Sequence, residues 1–132
     1  MPIQNSSCTK PYTLEFEQRP QYLYAYVRGE KDSLEISLQY WKEIADECWR
    51  AGFSKVFIEE DINGEMSIIE MYQFTSEISN IGFSGIRVAF VDRCLNQREL
   101  NTFGELVATN RGLNGKIFNS SEEAEEWLLS NQ

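Results

Sequence analysis

The densest chemistry in this sequence lies between Phe57 and Phe74, FIEEDINGEMSIIEMYQF, where five carboxylates (Glu59, Glu60, Asp61, Glu65 and Glu70) surround an Asn63-Gly64 turn. Such a cluster could ligate a hard cation, act as a phosphorylatable turn, or simply end a strand and open a helix. From Glu59 to Glu70 the EF-hand pattern is matched at Asp61, Asn63, Gly64, Met66 and Glu70. Glu59, however, replaces the shorter Asp in the most constrained position. KVFIE just before the loop also reads as extended where an entering helix is required. Glu70 stands three residues after Ser67, the spacing of a capping box in which each side chain bonds the other residue's backbone N–H. The expectation is no metal, but a strand exit followed by a helix capped at Ser67.

The other reactive side chains form no catalytic set. Histidine is absent, which removes the commonest general base and metal ligand. Cys8, Cys48 and Cys94 are odd in number, far apart and without C-x-x-C spacing, as suits a reducing cytoplasm and neither a disulfide framework nor a zinc site. Cys48 falls on an apolar helical stripe. Cys94 follows Arg93, where a thiolate could be favoured, but no base is identifiable beside it. No enzyme activity and no cofactor are expected. A net charge of -9 repels phosphate backbones and anionic lipid, so neither nucleic acid nor a membrane is expected as partner. MPIQNSSCTKPYT lacks the build of a signal peptide, and no stretch approaches transmembrane length, so the expected location is the cytoplasm.

These residues must be positioned by regular elements, and the sequence punctuates them clearly. Gly52, Gly82 and Gly112 stand thirty residues apart, each followed by an apolar residue and then Ser or Asn: AGFSKVFI, IGFSGIRVAF, RGLNGKIF. Glycine just past a helix takes the left-handed conformation cheaply while the next apolar residue packs back, a Schellman ending. Helix starts have capping spacing at Asp32/Glu35, Ser67/Glu70, Asn96/Glu99 and Ser120/Glu123. Four helices follow, roughly 33–51, 67–81, 96–111 and 121–130. Their apolar stripes are Leu34, Leu38, Trp41, Ala45 and Cys48 in the first, Ile68, Met71, Thr75 and Ile78 in the second, and Leu100, Phe103 and Val107 in the third.

TLEFEQ and YLYAYVRG alternate as strands of an antiparallel hairpin. KVFIEE, IRVAFVD and KIFN are compact apolar runs suited to parallel strands buried by helices. The expected fold class is α/β: residues 12–132 form one domain with a single mixed sheet, preceded by a loose tail over residues 1–11. In open sheets of this kind, ligands bind beyond the carboxyl ends of parallel strands. Glu59, Glu60 and Asp61, together with Asp92 and Arg93, are expected to converge there as a binding rim, next to Asn119 and Ser120. An exposed Tyr22/Tyr24/Tyr26 face would permit a homodimer.

The element order, carried by VFIEEDINGEMSIIEMYQF, GIRVAFVDR and NTFGELVATNRGLNGKIF, resembles the STAS-like fold of anti-sigma-factor antagonists and sulfate-transporter tails. More closely, it resembles a group of small uncharacterised bacterial STAS-like proteins. The resemblance implies a non-enzymatic regulatory module that binds a protein partner. It also implies that Ser67, which opens the second helix, occupies the position of the phospho-acceptor serine, although the paired serine and glycine of that family's turn are missing. The alternative is a carrier of a small molecule or lipid, which would require a buried apolar cavity. A phospho-receiver is disfavoured because Lys116 opens the last strand instead of closing it.

Overall fold

Alternation of apolar and polar side chains pairs the first two strands. β1 (Tyr12–Gln18) runs antiparallel to β2 (Leu23–Gly29), with Leu14 opposite Val27 and Phe16 opposite Ala25. The computed structural model describes residues 10–63, 66–94 and 98–130, so residues 1–9 of the expected tail lie outside the described residues. β3 (Lys55–Ile62), β4 (Arg87–Asp92) and β5 (Asn114–Phe118) add in parallel, giving a mixed five-stranded sheet in the order β1-β2-β3-β4-β5. α1 (Leu34–Ala51), α2 (Ile68–Glu77) and α3 (Arg98–Asn110) make the crossovers, and α4 (Ser121–Leu129) follows the last strand. The α/β mixed sheet with four helices is as the sequence implies.

The two faces of the sheet have separate cores. Leu23, Ala25, Val27, Val56, Ile58 and Val88 point to the side of α1, α2 and α3. Trp41 of α1 is the centre of that side, its ring 5.5 Å from those of Phe74 and Phe83 and 5.7 Å from that of Phe90. The alternate residues Tyr22, Phe57, Ala89 and Val91 point the other way, under Ala124 and Leu128 of α4. Arg87 ties α4 down: its guanidinium donates to the Trp127 carbonyl at 2.8 Å and the Ser130 hydroxyl at 3.0 Å, and lies 4.1 Å from the centre of the Trp127 ring.

Several local expectations are corrected. α1 is capped by Ser33, whose Oγ accepts the Ile36 N–H at 3.2 Å; Asp32, read as the cap, is buried instead. The Schellman endings form at Gly52 and Gly112, with Phe53 donating to the Cys48 carbonyl and Leu113 to that of Ala108. α2 ends differently, loosening into a 3-10 turn (Ile78–Asn80) before Gly82. The expected cap at Asn96 lies outside the described residues. Ile68 does not belong to the buried stripe of α2, being 66% exposed, and Phe74 fills the core in its place. In α3 the residues facing inward are Asn101, Gly104 and Ala108, with Leu100, Phe103 and Val107 at the flanks. Small residues lead here because α2 comes close: a Cβ on Gly104 would meet the Met71 Sδ at 2.8 Å.

Removing the hub ring tests this packing. Trp41→Ala deletes a side chain wedged among three phenylalanine rings, and should lower the unfolding free energy in urea by about 3–5 kcal/mol.

Candidate functional site

The start of α2 is built as its sequence dictates. Ser67 is extended (φ -79°, ψ 171°), its Oγ accepts the Glu70 N–H at 3.1 Å, and its own N–H reaches Glu70 Oε1 at 3.0 Å. One turn of helix then presents Ile68, Ile69 and Tyr72 to solvent, at 66, 70 and 47% exposure. These positions adjoin on one helical face. Arg111, just past α3, donates to the Tyr72 hydroxyl at 2.9 Å and joins the two helices at this surface, while Leu106 on α3 is also exposed. The exposed α2 residues were not singled out as such from the sequence, since an apolar residue at helical spacing reads as core until the packing partner is known.

The expected rim is divided by the sheet. Glu59 and Glu60 are neighbours on β3, so their side chains leave opposite faces. On the α4 side, Glu59 pairs with the Arg93 guanidinium and accepts from the Tyr24 hydroxyl, while Asp61 accepts from Tyr26 at 2.9 Å. Arg93 lies 5.5 Å from the Tyr26 ring centre and Arg19 4.1 Å from that of Tyr24. Burial and the Glu59 carboxylate push the Tyr24 hydroxyl above its ordinary pKa. The tyrosine row is therefore occupied by carboxylates and cations of the same chain, and Tyr22 is buried where α4 crosses it, donating to Glu125 at 2.7 Å. Of the tyrosine face that would permit a homodimer if exposed, Tyr22 is buried and Tyr24 and Tyr26 are half-buried.

On the other face, Glu60 and Asp92 point toward the helices. The Tyr40 hydroxyl of α1 contacts Glu60 Oε2 and stands 3.3 Å from Asp32 Oδ2. Asp32 also accepts the Ser33 N–H and the Ser37 hydroxyl, each at 2.8 Å. Asp92 accepts the Cys94 N–H at 2.9 Å and the Asn101 side-chain amide at 2.6 Å. Burial raises Glu60 well above the ordinary carboxylate range, reinforced by Asp92 and Asp32. Burial likewise raises Asp32 and Asp92, against the lowering effect of their hydrogen bonds. The Tyr40 phenol is raised too, by burial and then by Glu60. Asp32, Ser37 and Tyr40 were missed as site residues. The signal that existed was parity: Val56, Ile58, Glu60 and Ile62 share one face of β3, which places a carboxylate in the core.

A cavity of about 70 Å³ lies between α2, α3 and the sheet, with Met71, Phe74, Val88 and Gly104 among its walls and Glu60 at its polar end. It is far below the roughly 300–1,000 Å³ of pockets that enclose a drug-sized ligand. The calcium-loop alignment does not match the geometry: Glu59 to Ile62 continue a strand instead of opening a loop, and the aligned carboxylates are engaged, Glu59 by Arg93 and Tyr24 and Asp61 by Tyr26; Gly64 and Glu65 lie outside the described residues. Among the described residues no three His, Cys, Asp or Glu side chains are grouped to hold a metal ion, and no helix is long and apolar enough to cross a membrane. Burial pushes the Cys48 thiol up to about 12, as expected of an inert core cysteine.

The geometry defines a STAS-like fold, and solved structures agree. An anti-sigma factor antagonist from Mycobacterium paratuberculosis superimposes with a TM-score of 0.61 at 10% identity, over 92% of this chain and 97% of that one. An uncharacterised protein with a SpoIIAA-like fold from Shewanella loihica gives a TM-score of 0.52 at 12% identity, over 89% and 93% of the two chains. No family model matches the sequence, and no curated protein matches it.

The cap has a measurable worth. Ser67→Ala should cost about 1 kcal/mol in urea unfolding, while Ser67→Asp, which keeps an acceptor for the Glu70 N–H, should cost much less.

Proposed function

We propose that the chain is a non-enzymatic regulatory module that docks a protein partner on the exposed face of α2. The observation that carries this reading is the outward row Ile68, Ile69 and Tyr72, directly after the Ser67 cap. Apolar side chains left in water on one short helical face are the kind of anchor a partner desolvates, and aromatic residues such as Tyr72 are over-represented among such anchors. The similarity in fold to a protein described as an anti-sigma factor antagonist supports a partner that is itself a protein. Fold likeness alone is a limited warrant for function, which is why the row on α2 bears the weight.

Ser67 is the proposed control point. A phosphate there would add a charge of roughly -1.5 to -2 beside Ile68 and Ile69, at a helix N-terminus whose dipole favours it. It would also displace the capping box from Glu70 by repulsion between like charges. The rim residues Glu59, Asp61 and Arg93 are proposed to frame the partner's footprint from the strand ends, and Glu60 and Asp92 to act from within.

The test is capture from an extract of the source organism with the wild-type chain and with Ile69→Glu/Tyr72→Glu. Both positions are exposed, so the urea midpoint should hardly change. The affinity for the captured partner should fall by at least about 30-fold, the loss of a single 2 kcal/mol anchor. Equal retention by both proteins would refute docking on α2. The mass of the chain from that extract, with or without one phosphate on Ser67, decides the control point.

A further inference from the structure

Three polar side chains meet inside the core without a cation to balance them. Glu60 is 7% and Asp32 4% exposed, and among the described residues no Lys or Arg pairs with either. Between them stands the Tyr40 hydroxyl, in hydrogen-bonding reach of both. A phenol has one proton to donate. If it donates to one carboxylate, its contact with the other is a hydrogen bond only where that carboxyl carries a proton of its own. Ser37 also stands 3.3 Å from the Tyr40 oxygen, but its single proton is engaged at the shorter distance of 2.8 Å with Asp32 Oδ1. Two ionised acids around one phenol would leave a buried lone pair facing a lone pair, which is costly where water is excluded.

Donor counting also tells which acid holds the proton. Asp32 receives the Ser33 N–H, the Ser37 hydroxyl and the Tyr40 hydroxyl, a set that favours a carboxylate. Among the described residues the Glu60 side chain hydrogen-bonds with Tyr40 alone, and Asp92 stands beside it across the β3–β4 register. The consistent arrangement is a relay: Glu60 carboxyl to Tyr40 oxygen, Tyr40 hydroxyl to Asp32 carboxylate.

We propose that Asp32, Tyr40 and Glu60 share one exchangeable proton in the core, and that its release on alkalinisation draws water into the adjoining cavity and loosens α2. The cavity supplies the route. It lies against Glu60, has room for about two waters at their ~30 Å³ share of the liquid, and is walled on its far side by Met71 and Phe74 of α2. An ionised Glu60 can be solvated from there. The other charged or titratable groups facing this space do not neutralise it. Asp92 adds repulsion, Glu105 accepts the Ile117 N–H at 2.8 Å, and the Lys116 ammonium stands 5.8 Å from the Phe118 ring centre. The sign follows from linkage. Glu60 keeps its proton to higher pH folded than unfolded, so its contribution is complete below the ordinary carboxyl value of 4.5 and is lost as pH rises toward its raised folded value.

The experiment is hydrogen exchange of the α2 amides from pH 6 to 8.5, corrected for the intrinsic base-catalysed rate, in the wild type and Glu60→Gln. Glutamine keeps a donor toward Tyr40 but cannot ionise. The opening constant of α2 should climb with pH in the wild type, by at most about tenfold per pH unit for one proton released. It should stay flat in Glu60→Gln, and the α4 amides on the opposite face should be flat in both. Parallel climbs in the two proteins would overturn the proposal. The wild type alone supplies a second reading: with glutamate carboxyls labelled with carbon-13, one should titrate far above the rest. If all of them titrate together in the ordinary range, there is no shared proton.

Discussion

The central strand β3 is covered on both faces, yet two of the three adjacent carboxylates at its end, Glu59 and Glu60, are buried, and much of the architecture follows from housing them. A buried carboxylate must find donors or keep its proton. Glu59 solves this with Arg93 and Tyr24, at a margin where solvent still reaches the arginine. Glu60 has no such margin. Its solution draws Tyr40 from α1, and through Tyr40 the residue that precedes the α1 cap. The entry of α1 and the end of β3 are thereby bound into one polar knot inside an otherwise apolar layer, with Asp92 of β4 held beside it by Asn101 and the Cys94 N–H.

Replacing such a knot by apolar side chains of equal volume is often neutral or stabilising in proteins, so its presence is weak evidence for stability as such. What it does supply is direction. Tyr40 meets Glu60 only when β3 is in its observed register and α1 lies across it at one height. A slip of one residue would turn Glu60 to the α4 side and put Asp61 into the core.

The order of elements was legible because punctuation and periodicity are local. Gly52 and Gly112 end their helices by the bonds their spacing implies, and Ser67 and Ser120 open theirs. What escaped was whatever depends on the partner of a surface. Ile68 fits a helical stripe as well as Phe74 does, and only the depth of the sheet beneath α2 separates them. Asp32 and Ser33 are both competent caps, and the choice turned on a demand from Tyr40 eight residues away. The rim was legible as a set of strand-end residues but not as two groups, although strand parity carries that information. Glu59 and Glu60, being adjacent, could never have shared a face.

β1 is an outermost strand; Glu15 and Glu17 stand exposed on one of its faces, beside Tyr26 and Tyr24, with Phe16 between them turned to the other. A second copy pairing antiparallel on this strand about Phe16 would bring these acids close to their own counterparts, a like-charge contact of the kind that discourages edge pairing. That repulsion weakens pairing along the β1 edge, while the opposite edge of the sheet, β5, carries Lys116 and no acid.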